Sequence, residues 1–176
     1  FSNHPITLVA GGGCFADSVR EAYNNSRMNE ESANLLALKA TEIFAHFLKE
    51  KNSSFFLSEN IEDFLSGKIK IWLPSKILSC EDTFIRSWQS TSDSVAAWLS
   101  SKISSNGVIF LKSLPFVKKK KYSLLELQKK EILDKNVDKY LLNEKSVRIV
   151  GPEIIEYLRK SVDWKSFLKN LNSVSF

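Results

Sequence analysis

Apolar positions along the chain change between strand-like and helix-like spacing, and each change marks a predicted element. Residues 6–10 form a compact apolar and β-branched run bounded by Pro5 and Gly11, which predicts a buried strand. Three glycines follow this run. Beyond them, apolar residues recur at helical spacing: Phe15, Val19, Ala22 and Tyr23. The chain therefore opens as strand, glycine turn and helix.

A longer helix is predicted from Asn29, whose side chain suits an N-cap. Glu30 and Glu31 follow it and favour the positive end of a helix dipole. The apolar residues at helical spacing span five turns: Ala33, Leu36, Ala37, Ala40, Ile43, Phe44, Phe47 and Leu48. We expect this face to be the buried one.

The middle of the chain continues the alternation. A short strand is predicted at 55–57, then a brief helix capped by Ser58 and stopped by Gly67, then a strand at 69–73 ended by Pro74. A further helix begins at Thr91 or Ser92. Its predicted buried face comprises Val95, Trp98, Leu99 and Ile103.

The last third repeats the pattern. Residues 107–113 read as a central strand, and residues 146–158 as a strand, a Gly-Pro turn and a helix. Residues 163–176 predict one more amphipathic helix. Regular alternation of this kind predicts one α/β domain over residues 1–176, with a mostly parallel central sheet and helices on both faces.

Composition fits a folded globular chain. Hydrophobic residues make up 43% and charged residues 26%, which excludes the disordered class, and no stretch approaches the ~20 apolar residues that span a bilayer. Cys14 and Cys80 have no metal-ligand spacing, and His4 and His46 are isolated. We predict reduced thiols, a cytoplasmic protein and no metal site built by side chains.

The net charge of +5 comes largely from one lysine run, 118–121. Such a run is usually a solvated loop. A nucleic-acid site needs interleaved aromatic residues for stacking, and only Phe116 and Tyr122 flank the lysines. We therefore expect neither a nucleic-acid partner nor a membrane partner.

The glycine turn is the first candidate site. Gly11, Gly12 and Gly13 let backbone approach a ligand, and the helix behind them presents unpaired N–H groups to an anion. Asp17 and Arg20 lie on one face of that helix, where they orient a ligand or form a solvated ion pair. The spacing matches neither dinucleotide-binding nor P-loop motifs, and a tight structural turn stays an open alternative.

Two charged residues form the second candidate site. Asp93 lies in the first turn of the predicted 91–103 helix, where a carboxylate positions a lysine or serves the helix dipole alone. Lys112 closes the apolar strand VIFL, so it emerges at the carboxyl edge of the sheet. A lysine there needs a charged partner, such as a phosphate, or a path to solvent.

Taken in order, the segments VAGGGCFADSVREA, TSDSVAAWL, VIFLKS and VRIVGPEIIEYL resemble the amino acid kinase family. The branch linked to methanofuran and tetrahydromethanopterin biosynthesis is the nearest match, since its GGGPFAD-VR, WLP and TSDS-AAWLA segments are similar. The resemblance covers most of residues 6–160. It implies a three-layer α/β/α sandwich that transfers the γ-phosphoryl group of ATP, with Mg²⁺, to a small phosphorylated or amine-bearing acceptor.

The resemblance also implies roles for individual residues. The three glycines, Asp17 and Arg20 would bind the acceptor, while Asp93 and Lys112 would be catalytic. The nucleotide would meet Thr91, Ser92, Lys112, Ser113 and Gly151. Related kinases pair their subunits through helices, so we expect a homodimer or a subunit of a complex.

The sequence departs from the family pattern in three places. No Lys-x-Gly-Gly-Ser segment precedes Phe1, so a first strand of the sheet is expected to be absent from these residues. The Asp-Gly turn after the Lys112 strand is replaced by LPFVKKKK, and Cys14 stands in place of proline. A second hypothesis is therefore a catalytically inactive subunit of the same fold that binds a ligand or a partner protein.

Overall fold

Strands and helices alternate along the chain as its pattern predicts. The computed structural model describes residues 4–65, 67–103, 105–118, 121–141 and 146–176. The strands there are β1 (Thr7–Val9), β2 (Phe55–Ser58), β3 (Ile69–Trp72), β4 (Val108–Leu111), β5 (Lys121–Ser123), β6 (Val147–Val150) and β7 (Asn172–Ser175). The helices are α1 (Gly13–Asn24), α2 (Glu30–Lys51), α3 (Ser75–Leu78), α4 (Ser92–Lys102), α5 (Leu124–Lys129), α6 (Ile154–Lys160) and α7 (Trp164–Asn170), with a 3₁₀ turn at Val137–Tyr140.

The strands form two hydrogen-bonded groups. One has the order β1-β3-β2 with parallel pairs, and the other has the order β4-β6-β7-β5, in which only the described β6–β7 pair is antiparallel. The prediction of a mostly parallel α/β fold is confirmed. The expected central sheet is divided, because β1 and β4 are each the outer strand of their group among the described residues.

Side-chain packing joins the two groups. Helix α4 packs against both β1 and β4. Trp98 of α4 stacks on Trp72 of β3, with ring centroids 5.9 Å apart, and the same apolar cluster includes Phe110 of β4 and Ile149 of β6. One continuous core therefore covers one face of both groups.

The opposite faces are covered by other helices. Ile71 of β3 packs with Ala45 of α2, and Val150 of β6 packs with Tyr157 of α6 and Phe167 of α7. Residues on each strand alternate between these two sides, as strand geometry requires. The arrangement is the predicted α/β/α layering.

Helix α2 begins as predicted, and its buried face overlaps the predicted one in part: Ala33 and Ala40 are buried as expected. Asn29 is its N-cap, and its side chain accepts a hydrogen bond from the Ser32 backbone N–H. Leu36, Ile43 and Phe47, expected in the core, are 40–52% exposed. The buried face comprises Ala33, Asn34, Leu38, Ala40, Thr41 and Ala45. Polar Asn34 and Thr41 lie inside because each has hydrogen-bond partners there.

The helix expected between Ser58 and Gly67 is wrong, since residues 59–65 form turns and irregular structure. Tertiary donors take the carbonyl groups that a helix would use. Lys70 Nζ donates to the carbonyls of Asn60 and Ile61, and Trp72 Nε1 donates to that of Glu59. These bonds fold the segment over the end of the first group of strands.

The C-terminal helix is also shorter than predicted. Asp163 caps α7 through a capping box with Ser166, but the helix ends at Asn170. Residues after it form β7, which lies between β6 and β5 and pairs with both. The gain of backbone hydrogen bonds to two neighbours overrides the local helical pattern.

Candidate functional site

The glycine turn joins β1 to α1 and depends on two of its three glycines. Gly13 has φ +52°, a region that side chains disfavour. A Cβ on Gly12 would lie 2.0 Å from Ala16 Cβ, whereas one on Gly11 would meet nothing within 4 Å. In this described turn no side chain caps α1, and its first turn has no acidic residue. The N-terminus of α1 is therefore open to an anion.

Asp17 and Arg20 extend from α1 beside this turn. Arg20 Nη1 donates to Asp17 Oδ1 at 2.7 Å, and both side chains are more than half exposed. An exposed pair of this kind contributes little to stability. The Arg20 guanidinium also lies over the Trp88 ring, 5.6 Å from its centroid. These contacts hold the Asp17–Arg20 pair at one side of a cavity.

The cavity has a volume of about 170 Å³. Its three walls come from the glycine turn with α1, from α2, and from residues 88–92. Lining residues on these walls include Gly12, Gly13, Asn34, Thr41, Trp88 and Thr91. This volume is sufficient for a single small ring.

Asp134 fixes the N-terminus of α4 at the far wall. Its carboxylate accepts four hydrogen bonds, from the backbone N–H and the hydroxyl of both Thr91 and Ser94, at 2.6–2.9 Å. A carboxylate at a helix N-terminus is stabilised by the helix dipole. Thr91 lines the cavity, but its backbone N–H and its hydroxyl already donate to Asp134.

Lys112 and Asp93 form an ion pair next to this helix start. The Lys112 ammonium donates to Asp93 Oδ1 at 3.0 Å and to Oδ2 at 2.9 Å. Side-chain exposure is 24% for Lys112 and 11% for Asp93. Burial raises the pKa of Asp93 to about 6; the Lys112 charge opposes this rise, and Asp134 adds to it.

The two predicted sites meet at the start of α4. Gly12 and Gly13, which follow β1, share the cavity with Thr91 and Ser92. The next residue, Asp93, holds Lys112, which follows β4. The carboxyl ends of β1 and β4 therefore face the same helix N-terminus, the position where open α/β sheets bind ligands.

Ser113 and Gly151 follow the carboxyl ends of β4 and β6. Ser113 is exposed, and Gly151 is buried after β6. A Cβ on Gly151 would lie 2.0 Å from the Leu114 carbonyl oxygen. Glu153 Oε1 accepts hydrogen bonds from the backbone N–H groups of Gly151 and Phe116. The described part of the loop after Lys112 is thus fastened to the start of α6, and nucleotide contact by Ser113 or Gly151 stays a prediction.

Sequence reasoning missed three residues that shape this region: Asp134, Asn34 and Trp88. Asp134 lies in an irregular segment 40 or more positions from its partners, so no local spacing signals it. Asn34 interrupts the apolar pattern of α2, and this polar residue between Ala33 and Leu35 was the available signal in the sequence. Trp88 precedes the cap of α4 in an irregular segment, so no helical or strand-like spacing of apolar residues indicated its position.

Several expected features are outside this site or outside the described residues. Lys119 and Lys120 of the lysine run are not among the residues described, while Lys121 begins β5. Cys14 and Cys80 are free and exposed. Across the described ranges, no three His, Cys, Asp or Glu side chains converge on a metal position. Nor is any helix in those ranges both long and apolar enough to cross a membrane.

Similarity to known proteins agrees with this geometry. Over 104 residues the chain is 34% identical to a Methanocaldococcus jannaschii protein described as (5-(aminomethyl)furan-3-yl)methyl phosphate kinase. The fold is similar to that of uridylate kinase from Archaeoglobus fulgidus, with a TM-score of 0.67 at 15% identity, over 98% of this chain and 85% of that one. These findings confirm the resemblance to the amino acid kinase family.

The sequence similarity is partial. The aligned stretch is 56% of this chain and 47% of the M. jannaschii kinase, so the chain spans about half the length of that relative. No family model matches the sequence. The structural similarity to uridylate kinase extends across 98% of the chain, whereas the sequence similarity to the M. jannaschii kinase extends across 56% of it.

Proposed function

We propose that the chain is a small-molecule kinase, one domain over residues 1–176, that transfers the γ-phosphoryl group of ATP to a small acceptor. The acceptor is phosphorylated or bears an amine, and the reaction belongs to methanofuran or tetrahydromethanopterin biosynthesis. One observation carries this proposal. The Lys112–Asp93 pair lies at the N-terminus of α4, and the residues at that N-terminus also line the cavity beside the glycine turn. The name of the M. jannaschii relative supports it.

In this proposal the protein supplies alignment and charge. Phosphoryl transfer needs positive groups around the moving phosphoryl more than it needs an acid and a base. Asp93 holds the Lys112 ammonium at the sheet edge, and Asp134 holds the helix that carries Asp93. The open N-terminus of α1 and Arg20 bind anionic groups on the cavity side.

The residues present fit ATP and Mg²⁺. ATP supplies the phosphoryl group, and its phosphates would meet Lys112, with Ser92, Ser113 and Gly151 along the edge. Mg²⁺ is commonly held by substrate phosphates with only one or two carboxylates. Because both Asp93 oxygens already bond Lys112, the donor set fits a magnesium ion held chiefly by the phosphates.

The cavity fits the acceptor rather than the nucleotide. It is lined by Gly12, Gly13, Asp17 and Arg20, the residues assigned to acceptor binding from the sequence, and it is large enough for one small ring. Gly11 precedes this lining and has open space around it. We therefore propose that the acceptor binds in this cavity and that the nucleotide binds near Lys112, at the carboxyl edge of the strands.

The alternative is an inactive subunit of the same fold that binds a ligand or a partner protein. Two observations favour it. The donors of Thr91 are taken by Asp134, and the loop after Lys112 is fastened by Glu153 where the family has an Asp-Gly turn. Both features reduce the number of groups available to a nucleotide.

A titration with Mg-ATP separates the two hypotheses. If the site binds nucleotide, a concentration one hundredfold above the dissociation constant adds about 2.7 kcal/mol of stability, which a thermal-shift assay resolves. Transfer of labelled phosphate to an aminomethylfuran phosphate would then demonstrate the reaction. A chain that includes any preceding residues, and that shows no shift with any nucleotide, would favour the inactive subunit.

We also propose a cytoplasmic homodimer. The free thiols of Cys14 and Cys80 suit a reducing compartment. Leu36, Ile43 and Phe47 form an exposed apolar row on α2, and burial of such a row between two copies would be stabilising. Light scattering on Ile43→Glu measures this: the wild type should have twice the mass of the variant, and equal masses would reject the dimer.

A further inference from the structure

The Arg20 guanidinium lies between two cavities. Arg20 and Trp88 line the cavity beside the glycine turn, and with Tyr23 and Asn24 they also line a neighbouring cavity of about 250 Å³. The Arg20 side chain is 51% exposed, so a ligand in either cavity can reach it. Within the described residues Asp17 bonds one guanidinium nitrogen, Nη1, and the remaining N–H groups stay available to an anion.

Helix α1 alone does not fix the position of this guanidinium. No residue of α1 is buried, and the helix packs chiefly against α2. Asp17 belongs to the same helix as Arg20, and an exposed ion pair of this kind restrains its partners weakly. An arginine without further support has many rotamers, and ordering it when a ligand binds costs affinity. A contact from outside α1 is therefore needed.

Trp88 supplies this contact. The Arg20 guanidinium lies over the indole ring, 5.6 Å from its centroid, and the Tyr23 ring contacts the same indole with centroids 5.4 Å apart. A cation over an aromatic face is attracted by the negative face of the ring. Since Trp88 comes from a distant part of the chain, the contact ties α1 to the cavity wall formed by residues 88–92.

The segment that carries Trp88 is fastened to the start of α2. Glu30 Oε1 accepts a hydrogen bond from the Trp88 backbone N–H at 2.8 Å, and Glu31 Oε1 accepts one from Arg86 Nε at 2.6 Å. Both glutamates lie in the first turn of α2, a helix that has a buried face. The indole therefore belongs to an anchored part of the molecule, whereas α1 does not.

We propose that Trp88 is a positioning residue that holds the Arg20 guanidinium in place for an anionic group of the ligand. The anion accepts hydrogen bonds from the guanidinium N–H groups that Asp17 leaves available. Because the indole orders Arg20 before the ligand arrives, the cost of ordering is removed from the binding step. This inference rests on the proposed function only in taking the anion to be part of the phosphoryl acceptor.

The test titrates inorganic phosphate, without nucleotide, into the wild-type chain and its variants. Two-dimensional ¹H–¹⁵N NMR follows the arginine Nε–H signals and the backbone amides of α1, and Arg20→Ala assigns the Arg20 signal. We expect phosphate to shift this signal, and Trp88→Leu to weaken phosphate binding about two- to tenfold. Trp88→Phe keeps an aromatic face and should restore most of the affinity.

A double-mutant cycle separates positioning from a general structural effect. If Trp88 acts through Arg20, Trp88→Leu should change phosphate affinity little once residue 20 is alanine. Phe64→Leu is the matched control. It removes an aromatic ring 4.5 Å from the Lys70 ammonium, lines neither cavity, and should bind phosphate as the wild type does.

Three results would overturn the inference: an Arg20 signal that phosphate does not move, equal affinity in Trp88→Leu and Trp88→Phe, or losses that add in the double variant. The outcome is separable from the proposed function, because the titration contains no ATP. Coupled losses without any Mg-ATP shift would support the inference and favour the inactive subunit. A Mg-ATP shift with additive losses would support the kinase and reject the inference.

Discussion

Both carboxylate oxygens of Asp93 accept hydrogen bonds from the Lys112 ammonium, although the residues belong to different elements and are 19 positions apart. The pair joins the start of α4 to the end of β4 and lies beside the cavity that the glycine turn lines. Because Asp93 is nearly buried, neither partner can be changed without consequences for the other. Nucleotide binding, pH response and stability should therefore be linked through this pair.

Replacement of Lys112 tests its role in nucleotide binding. In Lys112→Ala the cation expected to meet the phosphates is absent, so the thermal shift produced by Mg-ATP should disappear while far-UV circular dichroism stays unchanged. The matched control is Lys76→Ala, which removes an exposed lysine from its pair with Glu59 and should keep the full shift. A shift of normal size in Lys112→Ala would mean that the lysine was misassigned.

The pH dependence of stability tests the burial of Asp93. Its pKa is about 6 in the folded chain, above the ordinary aspartate value of 3.8, so the folded state binds a proton more strongly than the unfolded state. The stabilising contribution of this proton is complete below pH 3.8 and is lost as pH rises through about 6. A pKa difference of one unit between the folded and unfolded states corresponds to about 1.4 kcal/mol, so the stabilising contribution of this proton is roughly 3 kcal/mol.

Thermal unfolding of the wild type and of Asp93→Asn between pH 4 and pH 7 measures this contribution. The asparagine does not titrate, so wild-type stability should fall relative to the variant as pH increases over that range. Function should have the opposite dependence, because only ionised Asp93 holds Lys112 as an ion pair: nucleotide binding should weaken below about pH 6. A stability difference that is constant with pH would contradict the raised pKa.

The glycine turn provides an internal series of substitutions. Gly13→Ala places a side chain at φ +52°, which costs on the order of 1 kcal/mol, and Gly12→Ala forces the start of α1 away from Ala16. Gly11→Ala has open space and should leave the free energy of unfolding nearly unchanged. Urea denaturation of the three variants measures the order; equal stabilities would show that the turn does not require these glycines.

Local signals in the sequence were sufficient for much of the fold. The glycine turn, the Asn29 cap and the strand that ends before Lys112 each depend on neighbouring residues, and the structure has all three. Asp93 was predicted in the first turn of a helix and Lys112 at the carboxyl edge of the sheet, and the structure pairs these two residues. These features are short-range or set by the topology of parallel strands.

Features set by distant contacts were not predictable in this way. Residues 172–175 form a strand because β5 and β6 flank them, although the pattern before them is helical. Residues 59–65 avoid a helix because Lys70 and Trp72 bind their carbonyl groups. The exposed face of α2 follows from the burial of Asn34, whose partners lie more than 50 positions away.

Asp134 is the residue whose contribution to the site depends most on such distant contacts. Its carboxylate is the N-terminal cap of α4 in place of a local side chain, since Thr91 makes no cap bond to its own helix. Asp134→Ala leaves four donors without this acceptor, and loss of a helix cap together with buried hydrogen bonds costs roughly 2–4 kcal/mol.

Urea denaturation of Asp134→Ala measures this cost, and Asp82→Ala, at an exposed aspartate, is the control. Asp134→Asn keeps one acceptor oxygen, so its stability should lie between that of the wild type and that of the alanine variant. Because α4 also carries Asp93, both variants should weaken Mg-ATP binding in proportion to their loss of stability. If Asp134→Ala were as stable as Asp82→Ala, the carboxylate would not be what holds the start of α4 at the cavity.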